Sequence, residues 1–205
     1  MRAAQHRVKL VAFLTTNRRL MVLLALFIGG VTIGCLLFSS SYRTLTPVLK
    51  PLLTWQAAEA GWAGCAQRWL SACLLPFLLL CVLFLAGLSS CGAPVVLLIP
   101  AFFGLGFGVT EAYYYALGGI GVAYVALLEL IPTLPALLAL LMGSAEAMRL
   151  SLLFGSQLLP SSARCGGMWA DFKLYLARFL ICIALVAVAG TLEVGLKLLF
   201  IGHFL

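Results

Sequence analysis

The strongest constraint on this chain is the interval between Arg68 and Glu111, where 42 consecutive residues include no Asp, Glu, Lys or Arg. An α-helix needs about 20 apolar residues to cross the hydrocarbon core of a bilayer, so the interval is long enough for two crossings. The whole chain is 64% hydrophobic and only 9% charged, with a mean hydropathy of +1.16. These values are typical of integral membrane proteins and exclude a soluble globular domain.

The pattern of apolar segments predicts an all-α, polytopic bundle of five transmembrane helices. We expect one integral-membrane domain, residues 20–205, after a basic cytoplasmic N-terminus, residues 1–19. The expected spans are residues 20–38, 70–90, 94–112, 118–148 and 174–200, with an outer loop over 39–69. Pro132 and Pro135 interrupt helical hydrogen bonding, and 118–131 alone gives only about 21 Å of helix, so we expect a broken fourth span or a re-entrant piece followed by a span.

The distribution of basic residues favours five crossings over six. With five, the N-terminus and the loop over 143–173 lie inside with nine Lys or Arg, including Arg178. Only Arg43, Lys50, Arg68 and Lys197 then lie outside, as the positive-inside rule prefers. Six crossings, the alternative, would erase this bias. The net charge of +7 therefore predicts contact with membrane lipids rather than with nucleic acid.

Residue types needed for common hydrolytic or metal chemistry are scarce. The two histidines are His6 and His203, so neither a His-based triad nor an HExxH zinc site is expected at membrane depth. The seven cysteines form no CxxC pair and are expected to pack as small apolar residues. We therefore expect a non-enzymatic protein with no catalytic residues, metal or cofactor.

Three alternating glycines, Gly104, Gly106 and Gly108, lie in the third span. A nucleotide-binding fingerprint would require a βαβ unit, which this apolar segment excludes. Gly104 and Gly108 instead form a G-x-x-x-G face suited to close helix contact. We expect the three glycines to shape helix packing, together with three prolines: Pro94, Pro132 and Pro135.

Three tryptophans recur every seven residues, at Trp55, Trp62 and Trp69. On a helix this spacing places them near one stripe, and Trp favours the headgroup level of a membrane. A helix that begins near Pro51 and lies on the outer surface would present them as candidate partner or interface contacts. Tryptophans scattered in a loop are the alternative.

Most of the acidic residues lie near expected interfaces, but Glu129 does not. An ionisable group inside a membrane is costly, so Glu129 is a candidate intramembrane polar site for a proton or cation. The plainer interpretation is a hydrogen-bonded Glu that fixes helix pairing. Glu193 and Lys197 are spaced to pair on one helix face, and Glu111 is expected at the outer interface beside an aromatic belt that includes Tyr113.

The order and spacing of glycines, prolines and apolar residues resemble the stage II sporulation protein M family. The residues that carry the resemblance are Gly87, 92–94, 98–108, Tyr115, 118–121, Pro132, 146–151 and Arg178. The likeness extends from the first span to the last. It departs from the family at Phe103, where members often have a basic residue.

The resemblance implies a membrane scaffold of endospore-forming bacteria that acts in forespore engulfment. It would lie in the mother-cell membrane and anchor peptidoglycan-degrading partners similar to stage II sporulation proteins D and P. The competing hypothesis is a small proton- or ion-coupled transporter or channel centred on Glu129. In a host that does not form spores, general remodelling of the cell envelope is the third interpretation.

Overall fold

The computed structural model describes residues 18–41, 62–90, 92–116, 128–157 and 168–204. Within these ranges the chain forms five α-helices and no strand: α1 (Arg18–Ser40), α2 (Trp62–Leu88), α3 (Ala93–Ala116), α4 (Leu130–Gln157) and α5 (Met168–Phe204). Each helix contains a segment that is long and apolar enough to cross a membrane. The expected all-α bundle with five spans is confirmed, and the chain is a multi-pass membrane protein.

The fourth helix is continuous where the sequence predicted a break. α4 begins at Leu130 and runs to Gln157, so neither Pro132 nor Pro135 interrupts it. Leu128 and Glu129 are π-helical and lead directly into α4, and local adjustments of this kind satisfy backbone groups that a proline such as Pro132 leaves free. Pro135 is tolerated one turn further along, as prolines often are in transmembrane helices. The expected segment 118–127 lies outside the described residues.

The second helix begins earlier than expected, at Trp62 rather than near residue 70. Trp62 and Trp69 therefore lie in the same continuous helix that crosses the membrane. The expected turn from a surface helix into the second span does not occur between them. Trp55, and the surface helix expected from Pro51, lie outside the described residues.

Glycines bring α1 and α3 together as parallel neighbours. A Cβ atom placed on Gly30 or Gly34 of α1, or on Gly104 or Gly108 of α3, would overlap a backbone carbonyl oxygen of the facing helix. The two G-x-x-x-G pairs thus face each other across one contact. In lipid, where the hydrophobic effect does not drive helices together, such close backbone packing is a main source of association.

Two residues expected to shape packing do not do so. Gly106 lies off the contact with α1, and a Cβ atom there would meet open space. Pro94 is exposed in the first turn of α3, where it starts the helix rather than packing. Pro132 is buried, in contrast.

The centre of the bundle is α4. Half of the residues in its most apolar stretch are buried, against no more than 33% in any other span. It runs parallel to α2 and antiparallel to α5. Between α2 and α5, the Tyr175 ring stacks on Phe84 and its hydroxyl donates to the Phe84 carbonyl at 3.0 Å. Gly87 leaves room for that hydroxyl, because a side chain there would collide with it.

Candidate functional site

Three charged side chains meet between α4 and α5, at what we call the Glu129 end of the bundle. The Nζ atom of Lys197 lies 2.6 Å from Oε1 of Glu193 and 3.2 Å from Oε1 of Glu129. Their side chains are only 12%, 22% and 16% exposed, respectively. The pairing of Glu193 with Lys197 was predicted from their spacing and is confirmed. Glu129 joins them from the turn before α4.

A cavity of about 280 Å³ lies beside this cluster. Its walls come from four helices: the first half of α2, the second half of α3, the start of α4 and the second half of α5. The described residues that give it polar character are Ser71, Thr110, Glu129, Thr133 and Glu193. The remaining wall is apolar and includes Phe103, Phe107 and Leu75.

Each hydroxyl on the cavity wall already donates its proton to the backbone. Ser71 donates to the Arg68 carbonyl at 2.8 Å, and Thr110 to that of Gly106 at 3.1 Å. Thr133 donates to the Glu129 carbonyl at 2.6 Å. A carbonyl oxygen can only accept, so the direction of these bonds is fixed. The hydroxyl oxygens retain lone pairs that can accept from a bound group.

A third carboxylate lies near this site. Glu111, on α3 directly after the cavity residue Thr110, is within electrostatic range of Glu129. Its Oε1 atom is buried and has no hydrogen-bond partner among the described residues. Tyr113, expected in an interfacial aromatic belt beside it, is instead 6% exposed and packs edge-on against Phe38 of α1. Tyr113 therefore faces α1, whereas Tyr115 near the end of the same helix is 53% exposed.

A second ionic cluster ties α4 to α5 at the opposite end, which we call the Glu146 end. Arg178 donates to Glu146, and Arg149 pairs with Asp171 at 3.3 Å. Arg149 also lies 3.7 Å from Glu146 on its own helix. Two acids and two bases balance here. At the Glu129 end, the Lys197 cluster carries two acids and one base.

The two ionic clusters are closer together than a bilayer core is thick. Residues 130–145 of α4 and 179–192 of α5 are the uncharged segments between them, 16 and 14 residues long. At 1.5 Å per residue these span about 24 and 21 Å. The hydrocarbon core is about 30 Å thick, so at least one cluster reaches into it. Charges at that depth require partners, which both clusters provide.

Sequence reasoning singled out Glu129 but missed its partner. The structure brings Glu129 to Lys197 and Glu193, which lie more than 60 residues away in the chain. The other expected contact residues are not part of this cavity. Trp69 is 36% exposed on α2, and the side chain of Trp62 and all of Trp55 lie outside the description.

A second concavity lies between α2 and α5 and has a different character. It has a volume of about 340 Å³, and its lining includes Phe77, Phe84 and Leu180. Nearly every atom it exposes is apolar, and the Cys81 thiol is the one reactive group among its lining residues. The cavity at the Glu129 end is therefore the candidate functional site.

Within the described ranges, no group of three or more His, Cys, Asp or Glu side chains is arranged to hold a metal ion. Comparison of the chain with protein-family models, with curated proteins and with solved structures finds no match. What the site binds is therefore inferred from its own residues.

Proposed function

We propose that the chain is a non-enzymatic scaffold of the cell membrane, similar to the stage II sporulation protein M family. In this proposal it holds extracytoplasmic peptidoglycan-remodelling proteins, D-like and P-like, during forespore engulfment. Its membrane would be that of the mother cell. The outer segment over 39–69, which includes the connection between α1 and α2 and the first two turns of α2, is the proposed contact with these partners.

The observation that carries the proposal concerns the residues of α4 on which the resemblance depends. Glu146 and Arg149 bind Arg178 and Asp171 of α5, and Ser151 donates to the Ser89 carbonyl in the turn after α2. These residues join three elements into one frame. A fixed frame that presents an outer segment is what an anchoring role requires.

The scaffold proposal is tested by capture of partners from native membranes. We expect the pair Trp55→Ala and Trp62→Ala to lower recovery of a peptidoglycan-cleaving protein severalfold, because buried Trp contacts often dominate interface energy. The matched control is Trp169→Ala, a 68% exposed Trp at the Glu146 end. The measurement is quantitative mass spectrometry of co-purified proteins.

Two results would contradict the scaffold proposal. One is equal recovery of the partner with the double variant and with wild type, when both insert in the membrane equally. The other is an equal loss with Trp169→Ala, which would show that the effect is unrelated to the outer segment.

A second candidate function is a small proton- or ion-coupled transporter centred on Glu129. The cavity between four helices, with Glu129 and Glu193 in its wall, favours it. It differs from the scaffold in one measurable property: the purified chain in proteoliposomes would give a pH-dependent flux that Glu129→Gln abolishes.

A further inference from the structure

The cavity at the Glu129 end offers acceptors to whatever enters it. Its described polar lining consists of two carboxylates and three hydroxyls. The hydroxyl protons are committed to backbone carbonyls, and ionised carboxylates have no proton to donate. A group bound here must therefore bring its own donors or a positive charge.

The formal charges beside the cavity also favour a positively charged ligand. Lys197 supplies one positive charge against the two carboxylates of Glu129 and Glu193, which leaves one formal negative charge. In these two ion pairs Lys197 contacts the Oε1 atom of each glutamate. Glu111 adds a further acidic group nearby, with a buried oxygen that lacks a hydrogen-bond partner in the described part of the chain. A single positive charge would neutralise the paired cluster.

The size and walls of the cavity separate the kinds of cation. A volume of about 280 Å³ is several times the roughly 30 Å³ that one water molecule occupies in the liquid, and far more than a bare metal ion needs. The apolar wall around Phe103, Phe107 and Leu75 suits a small carbon skeleton. Aromatic faces also attract organic cations. A primary ammonium group on a short apolar body satisfies all of these features.

We propose that this cavity is a binding site for a primary ammonium group, held by Glu129, Glu193 and the hydroxyls of Ser71, Thr110 and Thr133. The group is either that of a small free amine or the headgroup of an aminophospholipid. Both sources present the same three N–H donors and one positive charge. The site is separate from the outer segment of the scaffold proposal and stands if that proposal fails.

The experiment measures thermal unfolding of the purified chain in phosphatidylcholine nanodiscs. A ligand that binds only the folded state raises the unfolding temperature as its concentration increases. The probe for a free amine is n-propylammonium, and the comparison is tetramethylammonium, which has the same charge but no N–H donor. A second set of nanodiscs contains phosphatidylethanolamine, which supplies the ammonium group from the lipid.

We expect n-propylammonium or phosphatidylethanolamine to raise the unfolding temperature, and tetramethylammonium to leave it unchanged at equal concentration. Glu193→Gln removes one charged acceptor and should weaken the apparent affinity about tenfold or more. Thr133→Val, which removes a hydroxyl and keeps the shape, should weaken it less. The matched control is Glu146→Gln, which breaks an ion pair between the same two helices away from the cavity and should preserve the response.

The outcomes identify the source of the ammonium group and can contradict the proposed site. A response to the free amine, or to phosphatidylethanolamine alone, supports the proposal and identifies the source. Responses to neither, or an equal response to tetramethylammonium, overturn it. An unchanged response in both Glu193→Gln and Thr133→Val overturns it as well, because the variants then show that binding occurs elsewhere.

Discussion

Gly29 and Gly30 are adjacent on α1 but have opposite surroundings. A Cβ atom on Gly30 would overlap the Ala101 carbonyl oxygen of α3, whereas one on Gly29 would meet nothing within 4 Å. In helix interiors generally, Ala is more stable than Gly by about 0.5–1 kcal/mol. The same substitution at these two positions therefore isolates the effect of the contact between helices.

We expect Gly30→Ala to destabilise the protein by about 1–3 kcal/mol, since the two backbones must separate to admit the methyl group. Gly29→Ala should be neutral or stabilise by up to about 1 kcal/mol. Reversible unfolding in mixed micelles measures both. Equal changes in the two variants would contradict the close packing of α1 against α3.

The residues also show what the sequence can and cannot predict. Gly104 and Gly108 could be recognised because their spacing of four is a property of one helix. The pairing of Glu193 with Lys197 was predictable for the same reason. The contact of Glu129 with Lys197 depends on how α4 and α5 lie side by side, and the sequence offers no local signal for it.

Ion pairs connect α4 to α5 at both ends of these helices. At the Glu146 end the two interhelical pairs differ in burial. The side chains of Arg178 and Glu146 are 38% and 21% exposed, whereas those of Arg149 and Asp171 are 42% and 44% exposed. Exposed ion pairs contribute little, because water screens them and ordering the side chains costs entropy.

We expect the coupling energy between Glu146 and Arg178 to exceed that between Arg149 and Asp171. The exposed pair should couple by about 0–1 kcal/mol. Double-mutant cycles with neutral amide replacements at each position measure the two energies from unfolding. A larger coupling energy between Arg149 and Asp171 would contradict this prediction. It would show that water screens that pair less than the exposure of its side chains indicates.

The helix boundaries illustrate why sequence rules gave the number of helices but not their ends. Hydropathy predicted five crossings, since the bilayer sets a minimum length for each. The start of α4 depended on how the backbone accommodates a proline. Pro132 comes just after the π-helical residues Leu128 and Glu129, where the backbone adjusts locally, and so it does not break the helix.

For the whole molecule, each crossing moves the chain to the other side, so successive connections lie on alternate sides of the membrane. The segment over 42–61 follows α1, and the segment over 158–167 follows α4. With five crossings they lie on opposite sides, and the distribution of Lys and Arg predicts the second inside. A sixth crossing between α3 and α4 would move the second segment outside.

We expect an epitope inserted within 42–61 to bind antibody in intact spheroplasts, and one within 158–167 to bind only after permeabilisation. An epitope within residues 1–17 is the control for the inside. Binding to the 158–167 epitope in intact spheroplasts would support six crossings instead of five.

The parallel contact of α1 with α3 has a consequence for biosynthesis. Gly30 is synthesised 74 residues before Gly104, which lies on the face of α3 that contacts α1. At synthesis rates of about 5–20 residues per second, the first helix remains without α3 for on the order of 4–15 s. During that interval the glycine face of α1 is not covered by α3.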